Sequence, residues 1–266
     1  MNCENCSTEL SGAFCHKCGQ RVESLPGGVL GYLAHLVSGV AGYDSKLLRS
    51  LVALVFRPGR LTDQYLRGKR IRYVEPLQLY LLSAAVFFLI NAYKPFVHFD
   101  VATGSVASSL GPASATGSMP ASQVERLTAQ GVTIEVFAER FDAWVSAYLP
   151  VLLVAMLVLL AVVFWSLNWR SEKPFAVHAV FTLHWSAFFL LIEGVRRVIP
   201  LPATWSASNG ILGVVISFIY LAVAMRVLYR RGWPLSIART LVSLLLFYVL
   251  ISVWMGSTLF LALRFA

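Results

Sequence analysis

Apolar positions along this chain come in two patterns: long stretches that are apolar on every side, and shorter ones whose apolar residues recur at helical spacing. Five long stretches lie near 76–97, 145–169, 175–198, 210–229 and 240–263. Each reaches the roughly 20 helical residues that cross a hydrocarbon core of about 30 Å, so each is predicted to span a membrane. Pro76 and Pro174 fall at first-turn positions, where a missing N–H costs little, and Pro150 is a candidate kink in the second span. Of Trp165, Trp169, Trp185, Trp205, Trp233 and Trp254, several sit near span ends, as an interfacial aromatic belt requires.

Between residues 25 and 75 the pattern is amphipathic and punctuated. In 44–56, Asp44 reads as an N-cap; Leu47, Leu48, Leu51, Val52 and Val55 form an apolar side, and Lys46, Arg49 and Ser50 the other face. Arg57-Pro58-Gly59 stops that helix, because proline disfavours helical geometry in the residue before it. A second short helix runs from about Thr62 to Arg67, with Leu61, Tyr65 and Leu66 apolar, and ends at Gly68. Lys69, Arg70 and Arg72 follow. Arg57, Arg60, Arg67, Lys69, Arg70 and Arg72 therefore form a basic patch expected to contact anionic lipid headgroups. Packing of these helices against the bundle is the compatible alternative.

The segment 98–144 joins the first two spans. Residues 101–123 are almost entirely small or polar, which predicts a flexible linker. From about Thr133 to Tyr148 an amphipathic helix is expected, with Ile134, Phe137, Phe141, Trp144 and Tyr148 on one face and Glu135, Glu139 and Asp142 on another, resting on the outer leaflet or, as the alternative, capping an outward-facing cavity.

Composition agrees with a membrane protein: 58% of the 266 residues are apolar and 13% are charged, against about 25% in soluble domains. The formal charge of +9 raises the question of nucleic acid, but no recognition module frames the cations. Their distribution is topological instead. Ten of the 22 Lys and Arg precede the first span. With a cytoplasmic N-terminus only Lys94, Arg126, Arg140, Arg196, Arg197 and Arg264 fall outside. That bias predicts an N-terminus on the cytoplasmic side of the membrane and a C-terminus on the outer side. Arg196 and Arg197 are the exception, and a re-entrant third segment would change the count.

All four cysteines, Cys3, Cys6, Cys15 and Cys18, sit in the first eighteen residues as C-x2-C-x8-C-x2-C. Two close pairs suit a tetrahedral Zn2+ site, and Gly19 after the second pair suits its turn. The polar start lacks the apolar run of an export signal, so a reducing compartment is expected and disulfides are disfavoured. The same four thiolates also suit an iron–sulfur cluster. Four cysteine ligands leave no position for substrate, which makes the expected zinc structural, and a segment this short owes its fold to the metal. His16 reads as a solvated neighbour.

Inside the spans, ionisable groups are costly and carry a functional expectation. The candidates are His178, His184 and Glu193. At about 100° per residue His178 and His184 differ by a net 240° or so, which rules out a two-ligand site on one helix. Glu193 has Arg196 and Arg197 at i+3 and i+4. No G-x-x-x-x-G-K-[ST], H-E-x-x-H or G-x-S-x-G motif is present, so the weight falls against an enzyme. Gly39, Gly42, Gly210 and Gly213 are positions that permit close helix approach.

The head CENCSTELSGAFCHKCGQ, followed by DSKLLRSLVALVFRPGRLTDQYLRGKRIRYVEPLQLYLLSAAVFF, resembles the bacterial DUF3667 family. The shared features are a zinc-ribbon head, the RPG turn, the GKR turn with a following Tyr, and a Pro opening the first span. The resemblance covers about the first third of the chain and implies a zinc head and a membrane location; it implies no catalytic residue. The expected fold is an all-α polytopic membrane protein: a zinc ribbon or knuckle at 1–24, basic amphipathic helices at 25–75, and about five transmembrane helices in 76–266. Two functions follow from it. One is solute or ion transport, or support of envelope assembly, with the zinc head docking in the cytoplasm. The other is a membrane-anchored regulator that recruits a cytosolic protein through the head or senses anionic lipid.

Overall fold

The computed structural model describes residues 2–20, 43–101, 105–108, 115–118, 121–199 and 206–265. The helices expected between 25 and 42, with Gly39 and Gly42, and Trp205 lie outside the described residues. In chain order the helices are α1 (Tyr43–Phe56), α2 (Arg60–Leu66), α3 (Pro76–Tyr93), α4 (Ala121–Ala129), α5 (Ile134–Leu167), α6 (Phe175–Val198), α7 (Ser206–Tyr229) and α8 (Trp233–Phe265). Five of them, α3 and α5 to α8, are long and apolar enough to cross a membrane.

Helix α6 is the centre of the bundle, touching α1, α2, α3, α5 and α7, while α8 closes the far side against α5 and α7. It is a continuous helix of 24 residues, as a full span requires. Its inner faces are aromatic. Trp185 packs edge-on to Phe164 of α5 and Phe247 of α8, and Phe188 stacks on Tyr220 of α7 with ring centroids 3.6 Å apart. Facing outward, Val151, Val154, Val158 and Val162 on α5 and Leu241, Leu245, Val249 and Val253 on α8 are exposed. Aliphatic stripes of that length on two neighbouring helices belong against lipid rather than water.

Span ends alternate as a serpentine requires. The Lys94 ammonium donates to the Arg197 carbonyl at 3.3 Å, joining the C-terminal ends of α3 and α6. At the other end, Arg239 of α8 donates to the Asn168 side-chain oxygen at 2.7 Å, and Arg231 lies by the Arg170 carbonyl. Trp165, Trp169 and Trp233 are exposed at this second end, and Arg226 lies 4.3 Å from the Trp233 ring centre. Three exposed tryptophans at one level are an interfacial belt. Trp185, by contrast, is buried in the core.

The structure differs from the sequence reading at three places. The second span and its amphipathic lead-in fuse into one 34-residue helix, α5, capped by Thr133, whose side chain accepts from the Val136 N–H. The helix runs through Pro150. At 1.5 Å per residue it is about 51 Å long, so roughly 20 Å projects past the hydrocarbon core. The projecting face does not rest on a leaflet: Phe137 and Phe141 are covered by Phe99, with ring centroids 5.1 and 6.1 Å away.

Phe99 belongs to the second difference. Where composition predicts a flexible linker, β2 (Ser105–Ser108) and β3 (Ala115–Ser118) instead extend β1 (Val97–Asp100) into an antiparallel sheet of order β1-β2-β3. Val97 pairs with Ser108 and Asp100 with Ser105, while Val106 pairs with Thr116 after a register shift beside Ser105. The Asp142 carboxylate accepts from the Phe99 N–H at 2.8 Å and fastens the sheet to α5. Third, α1 begins at Tyr43, one residue ahead of the predicted cap Asp44.

Candidate functional site

The N-terminal head is built from two copies of one turn. In the first, the Ser7 N–H donates to the Cys3 carbonyl at 2.7 Å and the Cys3 N–H to the Thr8 carbonyl at 2.8 Å. The second repeats this with Gly19 to Cys15 at 2.8 Å and Cys15 to Gln20 at 2.7 Å. Each turn closes through a left-handed residue, Ser7 at φ 60° and Gly19 at φ 72°. Glycine carries that conformation freely, and serine does so at a cost. A single antiparallel bridge between Asn2 and Glu9 ties the first turn.

The turns converge their sulfurs. Cys3 Sγ lies 3.6 Å from Cys18 Sγ, Cys6 Sγ lies 3.6 Å from Cys15 Sγ, and all four fall within 4.8 Å of one another. A tetrahedron with metal–sulfur arms of about 2.3 Å has edges of about 3.8 Å, so the four sulfurs are close enough to hold one metal ion between them. Disulfides, at about 2.05 Å, are excluded by the same distances, and the four thiols are free. Local hydrogen bonds set the acidity of each thiol. The Thr8 hydroxyl and N–H hold Cys6 down to about 6. The Asn5 side chain and the Gln20 N–H also lower Cys18. The Cys6 N–H donates to Cys3, but burial and the adjoining Cys18 and Cys6 sulfurs outweigh it and push Cys3 up to about 11. His16 is exposed and outside the cluster, as expected.

The head sits on the turn that ends α2. The Gln20 side chain donates to the Gly68 carbonyl at 2.9 Å, and the Glu4 side chain occupies the space a Cβ at Gly68 would need. Gly68, at φ 79°, thus ends a helix and accepts the head.

Helix α2 is not a surface helix. Its entry residue Gly59, at φ 75°, lies so close to α7 that a Cβ there would be 2.7 Å from the Ala224 carbonyl oxygen. Thr62, 1% exposed, is hydrogen-bonded through its hydroxyl to His184 Nδ1 at 2.9 Å. His184 is nine residues beyond the start of α6, about 14 Å along it. Of the two readings of the basic helices, α2 therefore follows the packing one.

The three intramembrane candidates do not converge. His184 is taken by Thr62. His178 Nδ1 bonds the Tyr229 hydroxyl at 2.7 Å, and the two rings stack at 20°. Glu193 pairs with Arg196 at 2.6 Å, both buried. Arg197 lies between Phe87 and Phe96, 5.0 and 5.2 Å from their centres. Gly213 lies flush against the Arg196 guanidinium, where a Cβ would overlap it. Close approach at Gly213 thus serves an arginine rather than a helix backbone. Two partners, Thr62 and Tyr229, carried no sequence signal: Thr62 looks like a surface position of a short polar helix, and Tyr229 like an aromatic at a span end.

The basic patch divides. Arg67 is paired with Asp63 at 2.9 Å, and Arg70 lies 5.2 Å from the Tyr65 ring centre. Arg60 and Lys69 are exposed. Arg57 and Arg72 instead line a groove with Arg49. Ser50, expected on the polar face of α1, is fully buried: its hydroxyl donates to the Lys46 carbonyl and accepts the Val74 N–H, both at 2.8 Å.

No curated protein and no solved structure matches the chain. Residues 44–88, running from α1 through most of the first span, match the family model described as "Protein of unknown function (DUF3667)", and the resemblance read from the RPG and GKR turns stands on that segment.

Proposed function

We propose that this chain is a membrane-anchored docking protein: the spans form a closed anchor, and the zinc-loaded head recruits a cytosolic protein at the inner face of a bacterial inner membrane. The observation that carries this reading is the interior of the bundle. The cavity between α3, α5, α6 and α8 measures about 40 Å³ and is walled by Leu149, Met156, Trp185, Phe189, Phe247 and their apolar neighbours. A space of that size holds a water or two and passes no solute. His178, His184 and Glu193, the groups a transport pathway would use, each have a packing partner instead.

Zinc is the metal that the donor set favours, being tetrahedral, thiolate-bound and free of redox chemistry. When bound by Cys3, Cys6, Cys15 and Cys18 it would supply folding free energy to a segment too short for a core. Phe14, 60% exposed on the head, supplies an apolar contact point beside Lys17. The count of Lys and Arg supports a cytoplasmic N-terminus and a periplasmic C-terminus.

The test is flux. Purified protein in sealed vesicles is expected to pass none of a panel of monovalent ions, divalent ions, sugars and amino acids above the rate of empty vesicles. Saturable flux of any of them, lost on His184→Ala, would overturn the anchor reading in favour of transport.

A further inference from the structure

A groove of about 540 Å³ runs between α1 and the chain leading into α3, lined by Leu48, Arg49, Val52, Ala53, Arg57, Arg72 and Tyr73. That volume is within the range of about 300–1,000 Å³ typical of small-molecule sites. Its walls are fixed. Ser50 bolts Val74 to α1, and the Tyr73 hydroxyl donates to the Gln64 side chain at 2.6 Å. Its charge is of one sign, with three arginines and no acid in the lining. Among the described residues none of the three has an ion pair or a side-chain hydrogen bond.

The floor has the opposite chemistry. Leu48 and Val52 of the lining are 65% and 45% exposed, and Phe56, beyond the groove on the same face of α1, is 76% exposed, while Leu54 on the other side of the helix is fully buried. A helix apolar on both faces has one face on protein and one on lipid. An exposed apolar stripe with Arg49 and Arg57 on the same helix is what a helix lying at a lipid surface presents. One kind of molecule matches both halves: an amphiphile with a phosphate head and hydrocarbon chains. Arginine suits it, since its planar fork binds phosphate through paired hydrogen bonds.

We propose that this groove binds one anionic glycerophospholipid, its headgroup phosphate held by Arg49, Arg57 and Arg72 and its chains laid along Leu48, Val52 and Phe56. The inference rests on the membrane placement above but not on docking by the head.

The experiment uses the full chain in nanodiscs of phosphatidylcholine with a minor fraction of phosphatidylglycerol, and native mass spectrometry of the lipids retained after transfer to detergent. Wild type is expected to retain phosphatidylglycerol far above its share of the bilayer. In the triple variant Arg49→Gln, Arg57→Gln, Arg72→Gln the preference should fall by on the order of a hundredfold, three cations each contributing the usual near-surface increment. Val52→Asp, which puts an acid on the exposed floor without touching an arginine, should also abolish it. The charge-matched variant Arg60→Gln, Arg67→Gln, Lys69→Gln, which removes exposed cations outside the groove, should lose far less of it.

Equal loss in the charge-matched variant would overturn the site in favour of diffuse attraction. Displacement of the lipid by soluble glycerol 3-phosphate would overturn the lipid in favour of a free phosphate ester. Preference that emerges only after deleting residues 21–42 would make that segment the occupant. A protein that floats with vesicles but shows no preference overturns this inference alone; one that fails to float overturns the membrane reading with it.

Discussion

Replacing Gly59 by alanine tests how α2 is seated in the bundle. Gly59 has φ 75°, where an L side chain costs about 1–2 kcal/mol. A Cβ there would also lie 2.7 Å from the Ala224 carbonyl oxygen, 2.9 Å from Ala224 Cα and 3.0 Å from Val227 Cβ. Two of these are backbone atoms of a long helix, so α2 must move, at the roughly 1–3 kcal/mol of overpacking. Gly59→Ala should therefore cost about 2–5 kcal/mol. The control is Gly131→Ala. Gly131 has nearly the same φ, 74°, but nothing within 4 Å of its Cβ, so only the conformational part applies. The two variants are compared by denaturant titration of tryptophan fluorescence in one detergent. Gly59→Ala should lose about 1–3 kcal/mol more than Gly131→Ala. Equal losses would refute the seating of the RPG turn against α7, and with it the placement of Thr62 beside His184.

Thr62→Val keeps the shape of the side chain but leaves His184 Nδ1 buried without its partner; stability should fall by about 1–3 kcal/mol in the same titration, while Thr62→Ser stays near wild type. Ser7→Gly relieves the left-handed conformation of the first knuckle, so metal should bind about twofold to fivefold tighter in competition with a chromophoric chelator, a gain of roughly 0.5–1 kcal/mol. Zinc affinity should rise with pH. Cys3 remains a thiol up to about 11 and Cys6 is a thiolate above about 6, so binding between pH 7 and 9 must displace at least the Cys3 proton. That gives at least about a tenfold gain per pH unit, steepening below pH 6 as Cys6 also protonates; a flat profile would contradict it.

The sequence was most informative where one physical requirement acts alone. Lipid demands long apolar helices, and all five were legible; four thiols in paired knuckles demand a tetrahedral ligand set, and their convergence follows from the spacing. Packing partners were not legible. Thr62 and Ser50 look like ordinary helix-surface residues, yet both are buried as joints to His184 and to the Val74 N–H. The sheet over Phe137 and Phe141 was hidden because its later strands are small and polar, the composition of a linker, and only the pairing of β2 with β1 and of β3 with β2 gives them shape. Glu193 and its arginines were partly legible: spacing named Arg196 and Arg197 as partners and Arg196 makes the ion pair, but nothing pointed to the aromatic walls around Arg197.

The most direct test of docking is cross-linking from the head in native membranes. An amine-reactive cross-linker acting at Lys17, which is exposed beside the metal cluster, should join the chain to one defined cytosolic protein. The adduct should disappear in Cys15→Ser while the variant still floats with vesicles, because the head alone depends on the metal. An adduct unchanged by Cys15→Ser, or no adduct with a correctly inserted and zinc-loaded chain, would contradict the account.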